Sequence, residues 1–307
     1  MAKTSYVGSG PYCYSNSFSM MFGESSPPAR IIEFATSSAF GMHLLRGSLP
    51  FFDPFCWTPE ASFAEALGAM GWVSELVRGE DPRSAIHHLK RALSGGPVWV
   101  GPIEMGYLHH QPGRAGPVGA DHYVVVLEMD HESVLMHDPE GFPYARLPLE
   151  LFLQSWRTAT LDYGTSFTMR HGFRQISMRS NADIICASLP SARRWLSCQG
   201  TMDIPSGTIG NGEAAHALAD MIKTGITDDL RNHLIHFAVR VGARRAADAA
   251  KCLAQIAEIR AATVVDRQAR LIGALQYPLV TREDDKAVAY LRSLAPTYDE
   301  LLDALPN

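Results

Sequence analysis

Two apolar runs lie three residues apart near the middle of the chain: His122–Met129 (HYVVVLEM) and Ser133–His137 (SVLMH), with Asp130-His131-Glu132 between them. Their β-branched residues favour extended backbone, and neither run alternates apolar with polar as a strand with one wet face does. The spacing therefore predicts a hairpin buried on both faces. Such a hairpin needs a covering layer on each side, which the rest of the chain must supply. With 307 residues, 46% hydrophobic and 19% charged, there is material for one large core or two modest ones, and a disordered chain is not expected.

Upstream of the hairpin the punctuation is helical. Cys13 to Gly23 has no breaker after the Gly10-Pro11 turn, and Ala29 to Leu45 is expected to form a second helix. Leu49 to Thr58 reads as a loop packed on the core surface. Thr58-Pro59-Glu60 caps a helix running to about Met70, and Pro82 to Leu93 places Ala85, Ile86, Leu89 and Leu93 at helical spacing. Val98 to Ile103 is a short strand, Gly106 to Gly119 a glycine- and proline-rich loop, Leu149 to Trp156 a helix, and Thr165 to Met178 one or two strands. Beyond the Gln199 to Gly212 stretch the chain is alanine-rich: Glu213 to Thr224 with Gly225 as a stop, a helix capped by Thr227, another over Ala243 to Ala262, and a last short pair over Asp284 to Leu305. The expected class is α+β. Residues 1–180 form a domain in which the helix bearing Cys13 packs on an antiparallel sheet, 181–212 form a connecting segment, and 213–307 form an α-helical C-terminal domain.

A formal net charge of -5 gives no basic field of the kind that draws a protein onto nucleic acid, so nucleic acid is not expected as a partner. No stretch has the form of a signal peptide or the length of a bilayer span, which points to a cytoplasmic protein without a membrane partner. The five cysteines, Cys13, Cys56, Cys186, Cys198 and Cys252, are scattered and contain no C-x-x-C pair. That fits neither a disulfide framework nor a thiolate zinc site. The pairs His87-His88 and His109-His110 are adjacent in sequence, so their side chains diverge on a helix or strand and no metal site is expected.

Three features converge on one chemistry. Cys13 stands where helix begins, and a helix N-terminus or a neighbouring imidazolium lowers a thiol's pKa and makes it a nucleophile. His122 opens one strand of the hairpin, and Asp138 closes the next, just before Pro139. Antiparallel strands bring those outer ends together, so the imidazole and the carboxylate form the base and orienter of a Cys-His-Asp triad. Taken singly, each has a plainer reading: a small buried thiol, a polar strand end, a turn residue. Taken together in that order they specify Cys13, His122 and Asp138 as catalytic. Cys56-Trp57 falls short of the helix that starts at Pro59, and Cys186, Cys198 and Cys252 read as core residues.

The segments "PYCYSNSFSMM", "DHYVVVLEMD" and "VLMHDPEGF" resemble papain-like cysteine enzymes of the bacteriocin-processing peptidase type. Within that group, "GGPVWVGP", "ARLPLELFLQSW" and "RVGARRAADAAKCLAQIAEI" are similar to the butirosin biosynthesis H-type acyltransferases, which join a papain-like N-terminal domain to a helical C-terminal region. The resemblance implies Cys13 as nucleophile, His122 as base and Asp138 as orienter. It departs at one place: peptidases of this type carry a glutamine several residues before the cysteine, and "SYVGSGPY" has none. Oxyanion stabilisation then falls to the Cys13 backbone N–H, with Ser9, Tyr12 or Asn16 as candidate second donors.

A thioester on Cys13 is handed to whatever nucleophile the site admits. The leading expectation, as the resemblance implies, is acyl transfer from an acyl carrier protein thioester to a small-molecule amine in secondary-metabolite biosynthesis. No cofactor is expected beyond phosphopantetheine on the donor. The alternatives are a cysteine peptidase or amidohydrolase, and a catalytically inert papain-like binding protein. Arg193, Arg194, Arg240, Arg244 and Arg245 read as a solvated helix face, with contact to an acidic carrier as the second reading.

Overall fold

The expected hairpin forms, Asp121–Met129 against Ser133–Asp138, and lies within a six-stranded antiparallel sheet. The computed structural model describes residues 11–198 and 204–306. The strand order is Trp72–Arg78, Thr168–Gln175, Val98–Glu104, Asp121–Met129, Ser133–Asp138, Phe142–Pro148. From His122 to Val126 every residue is buried, and the side chains alternate between the two covered faces of the sheet. Val124 and Val126 join Val98, Val100, Ala85, Leu89, Phe152 and Trp156 in one core, beneath the helices Pro82–Leu93 and Leu149–Trp156. Tyr123 turns to the other face, where Trp99 stacks on it at 4.8 Å between ring centroids.

The Cys13–Phe22 helix covers that second face. Its residues four apart, Tyr14, Phe18 and Phe22, each meet a ring on a different strand: Tyr14 edges onto Tyr123 at 6.0 Å, Phe18 stacks on Trp99 at 4.7 Å, and Phe22 stacks on Trp72 at 4.4 Å. Such ring pairs contribute about 0.5–1.5 kcal/mol each beyond their buried area. Gly101 permits the close packing of Tyr123, since a Cβ there would lie 2.2 Å from that ring. It sits in the register shift between Val100 and Ile103, where the strand bulges before reaching Glu104.

The chain divides into two compact units, Met1–Ala29 with Gly71–Met178, and Arg30–Met70 with Arg179–Asn307. This corrects the expected division at residue 180: residues 30–70 cluster with the helical part of the chain. It also corrects the expected connecting segment, because Asn181–Leu196 is a 16-residue helix with a Ser180/Asp183 capping box. The second unit includes the helices Pro59–Met70, Asn211–Thr224, Asp228–His233, Val239–Gln255, Ile259–Ala274, Asp284–Leu294 and Thr297–Ala304. Its small sheet orders Leu49–Phe51, His43–Leu45, Ile209–Gly210.

Two expected helices are shorter or interrupted. The helix expected over 29–45 stops at Ala35, where Thr36 Oγ1 donates to the Glu33 carbonyl at 2.7 Å and Ser37 takes φ 62°. The helix expected over 243–262 breaks at Ala257, φ 64°, between Val239–Gln255 and Ile259–Ala274. Arg245 is not on a solvated face. Its side chain is 6% exposed, with Nε donating to Glu33 at 2.7 Å and a terminal nitrogen to Asp53 at 3.2 Å. Among the described residues no helix is long and apolar enough to cross a membrane.

Candidate active site

Cys13 is the first residue of its helix. No side chain caps that end and no acidic residue lies in the first turn, so the half-buried thiol meets the positive end of the helix dipole without a competing carboxylate. The helix is pinned in rotation as well as depth: Ser17 Oγ donates to the Tyr123 carbonyl at 3.1 Å, on the residue next to His122.

His122 is the second residue of its strand, opposite Ile103, with a side chain 2% exposed. Its Nε2 lies 2.7 Å from Asp138 Oδ1. The Cys13 thiol hydrogen-bonds the same imidazole, and with Nε2 committed to Asp138, Nδ1 is the nitrogen left to face the sulfur. Burial alone would lower the His122 pKa. The Asp138 charge and hydrogen bond, with Cys13, outweigh it and raise His122 well above the ordinary 6.5.

Asp138, fully buried, ends its strand. Its Oδ1 also accepts the Glu140 backbone N–H at 2.9 Å, and its Oδ2 accepts His110 Nε2 and Gln111 Nε2, each at 2.7 Å. Four donors therefore serve a carboxylate with about four lone-pair sites. Burial works to raise its pKa, but the His122 charge and the bonds from His110, His122 and Gln111 hold it well below the usual carboxylate range. The sequence-predicted residues Cys13, His122 and Asp138 are thus brought together.

His110 and Gln111 were not singled out as site residues from the sequence. They sit in the Gly106 to Gly119 loop, where no periodicity announces direction, and the adjacent pair His109-His110 bears in sequence only on metal binding. A buried carboxylate organises this loop: Glu104 accepts the N–H groups of Gly106, Val118 and Gly119, each at 3.0 Å, and the Thr160 hydroxyl at 2.6 Å. The two loop ends touch so closely that a Cβ on Gly106 would lie 1.9 Å from the Gly116 carbonyl oxygen. Among the described residues no group of three or more His, Cys, Asp or Glu is arranged to hold a metal ion.

Of the candidate oxyanion donors, Ser9 lies outside the described residues. Tyr12 is fully buried as the N-cap. Asn16, three residues beyond Cys13 and so on a neighbouring helical face, is 1% exposed, and its Nδ2 has no hydrogen-bond partner among the described residues. The other cysteines differ from Cys13. Burial pushes the thiols of Cys56 and Cys198 up to about 11 and that of Cys252 up to about 12, while Cys186 is exposed.

Fold and cluster together define an α+β protein in which a thiol at a helix start faces a histidine–aspartate pair at one end of an antiparallel sheet. Residues 205–306 match the family described as the YobF C-terminal domain. The chain is similar to the uncharacterized protein YobF of Bacillus subtilis (strain 168), 28% identical over 248 residues and 79% of each chain. These likenesses are to YobF, over the C-terminal residues for the family match; the likeness to the butirosin-type acyltransferases rests on the sequence segments quoted above.

Proposed function

We propose that the protein is a papain-like cysteine acyltransferase that forms an acyl-S-Cys13 intermediate from a carrier-bound thioester and passes the acyl group to an amine. The observation that carries this reading is His122, whose Nε2 lies 2.7 Å from Asp138 Oδ1 and whose pKa is raised by Asp138 and Cys13 together. In the first half-reaction the Cys13 thiolate attacks the thioester carbonyl. The oxyanion is met by the Cys13 backbone N–H and by Asn16 Nδ2, and the carrier thiol leaves with the proton from His122. In the second half-reaction the amine attacks acyl-Cys13, gives a proton to His122, and Cys13 departs as thiolate. Asp138 holds the imidazole throughout and supports its positive charge. With no glutamine ahead of Cys13, the usual peptidase donor is not supplied by that stretch, and the oxyanion falls to the Cys13 N–H and Asn16.

Incubation with an acyl-pantetheine thioester, followed by intact mass, tests the proposal. A single acyl adduct is expected on the wild-type chain, discharged as an amide by added amine, and no adduct on Cys13→Ala. Cleavage of peptides without use of thioesters would support the peptidase alternative. An adduct of equal yield on Cys13→Ala would contradict the scheme.

A further inference from the structure

Asp138 lies between two imidazoles, and only one of them belongs to the triad. His110 Nε2 and Gln111 Nε2 both reach Oδ2, leaving Oδ1 for His122 and the Glu140 backbone N–H. An ionised carboxylate only accepts, so His110 carries its proton on Nε2. Its Nδ1 is buried without a hydrogen-bond partner among the described residues, and its ring edges onto Phe142 at 5.4 Å. Among the described residues Asp138 is therefore the one hydrogen-bond partner this imidazole finds. Gln111 is oriented in turn by Arg114, whose Nε donates to Gln111 Oε1 at 3.2 Å. The groups that bear on Asp138 from the surrounding elements are thus Cys13 through His122, and His110 and Arg114 from the loop that Glu104 anchors.

We propose that His110 is a positioning residue of the cysteine site: with Gln111 it fixes the Oδ2 edge of Asp138, so that Oδ1 stays aimed at His122 Nε2. This rests on the reading of Cys13 as nucleophile and goes beyond it by assigning a second histidine to the orienter. Losing His110 has two opposed effects. One fewer donor concentrates charge on Asp138 and would strengthen its support of the His122 imidazolium. Losing the anchor lets the carboxylate turn or take up water and weakens that support. The fixed geometry, four donors on four sites in a buried pocket, makes the second effect the larger.

The test is the pH profile of Cys13 alkylation by iodoacetamide in the full-length protein, read by peptide mass. For His110→Ala, the acid limb is expected to move up by about one pH unit, so that alkylation at a pH on that limb, below the wild-type plateau, falls about tenfold. His110→Gln returns an amide donor to Oδ2 and is expected to restore most of the rate. An unchanged profile in His110→Ala, a limb moved to lower pH, or equal loss in His110→Gln with native circular dichroism would overturn the assignment. If the wild-type chain shows no preferential labelling of Cys13, the nucleophile reading itself fails and takes this inference with it.

Discussion

Replacing Asp138 with alanine is expected to slow Cys13 alkylation and acyl transfer by about 10²-fold or more near neutral pH. The reason is burial. With its side chain 2% exposed, His122 has burial working against its charge, and Asp138, with Cys13, outweighs that burial and raises its pKa. Without that carboxylate the imidazole becomes neutral, and Cys13 loses the cation that favours its thiolate. The same shifts set a stability window. The depressed Asp138 pKa contributes stability that is full above the unfolded carboxylate value, about 3.9, and is lost as pH falls below it. The raised His122 pKa contributes stability that is full below about 6.5 and is lost as pH rises through the higher folded value. The pair therefore stabilises most between about pH 4 and 6.5, and urea unfolding of Asp138→Ala is expected to lose that maximum. A variant that keeps both the wild-type labelling rate and the wild-type pH dependence would contradict this account.

The second large effect is expected in the helical unit, from Arg245→Met. Glu33 is 1% exposed and Asp53 8%, and both depend on one guanidinium, which also lies 5.6 Å from the Trp57 ring. Removing it takes the guanidinium from two buried carboxylates and leaves Glu33 with the Ser38 hydroxyl and Asp53 with His43, at a cost of about 3–5 kcal/mol. His43, whose Nδ1 lies 3.0 Å from Asp53, is the remaining cation available to this cluster, and its pKa is raised because Asp53 outweighs the opposing effect of burial. Its share of stability is full below about 6.5 and lost above the folded value, so the Arg245→Met deficit should be larger at pH 8 than at pH 5.5. Urea unfolding of the two chains at both pH values measures this. A difference under about 1 kcal/mol at both would mean that the cluster adds nothing net to stability.

What the sequence made legible follows from periodicity and punctuation. The hairpin was readable because a run buried on both faces cannot be mistaken for a one-sided strand, and Pro59–Met70 because Thr58-Pro59-Glu60 marks its start. The two edge strands were not. Trp72–Arg78 is mostly half-exposed or exposed, and Phe142–Pro148 carries two prolines and an arginine, all of which blur a strand signal at a sheet edge. Asn181–Leu196 was hidden by Pro190 inside it. Cys13, His122 and Asp138 were legible because strand ends fix where their residues meet. His110 and Gln111 were not, because a loop's direction depends on tertiary bonds such as those of Glu104, which no local pattern encodes. Arg245 looked like one more surface arginine because its acidic partners lie some 190 and 210 residues earlier in the chain.

The most direct measurement is competitive alkylation of the wild-type chain by limiting iodoacetamide at pH 6, with the adduct mapped among the five cysteines. Cys186 is an exposed thiol on the same chain and serves as the internal reference. At that pH a thiol whose pKa is about 11, as for Cys56 and Cys198, is ionised to about one part in 10⁵. Cys13 is expected to be modified first, at least tenfold faster than Cys186, at a rate nearly flat from pH 6 to 8. Cys13 reacting no faster than Cys186, with a rate climbing tenfold per pH unit as for an ordinary thiol, would contradict the thiolate–imidazolium site on which the proposed function stands.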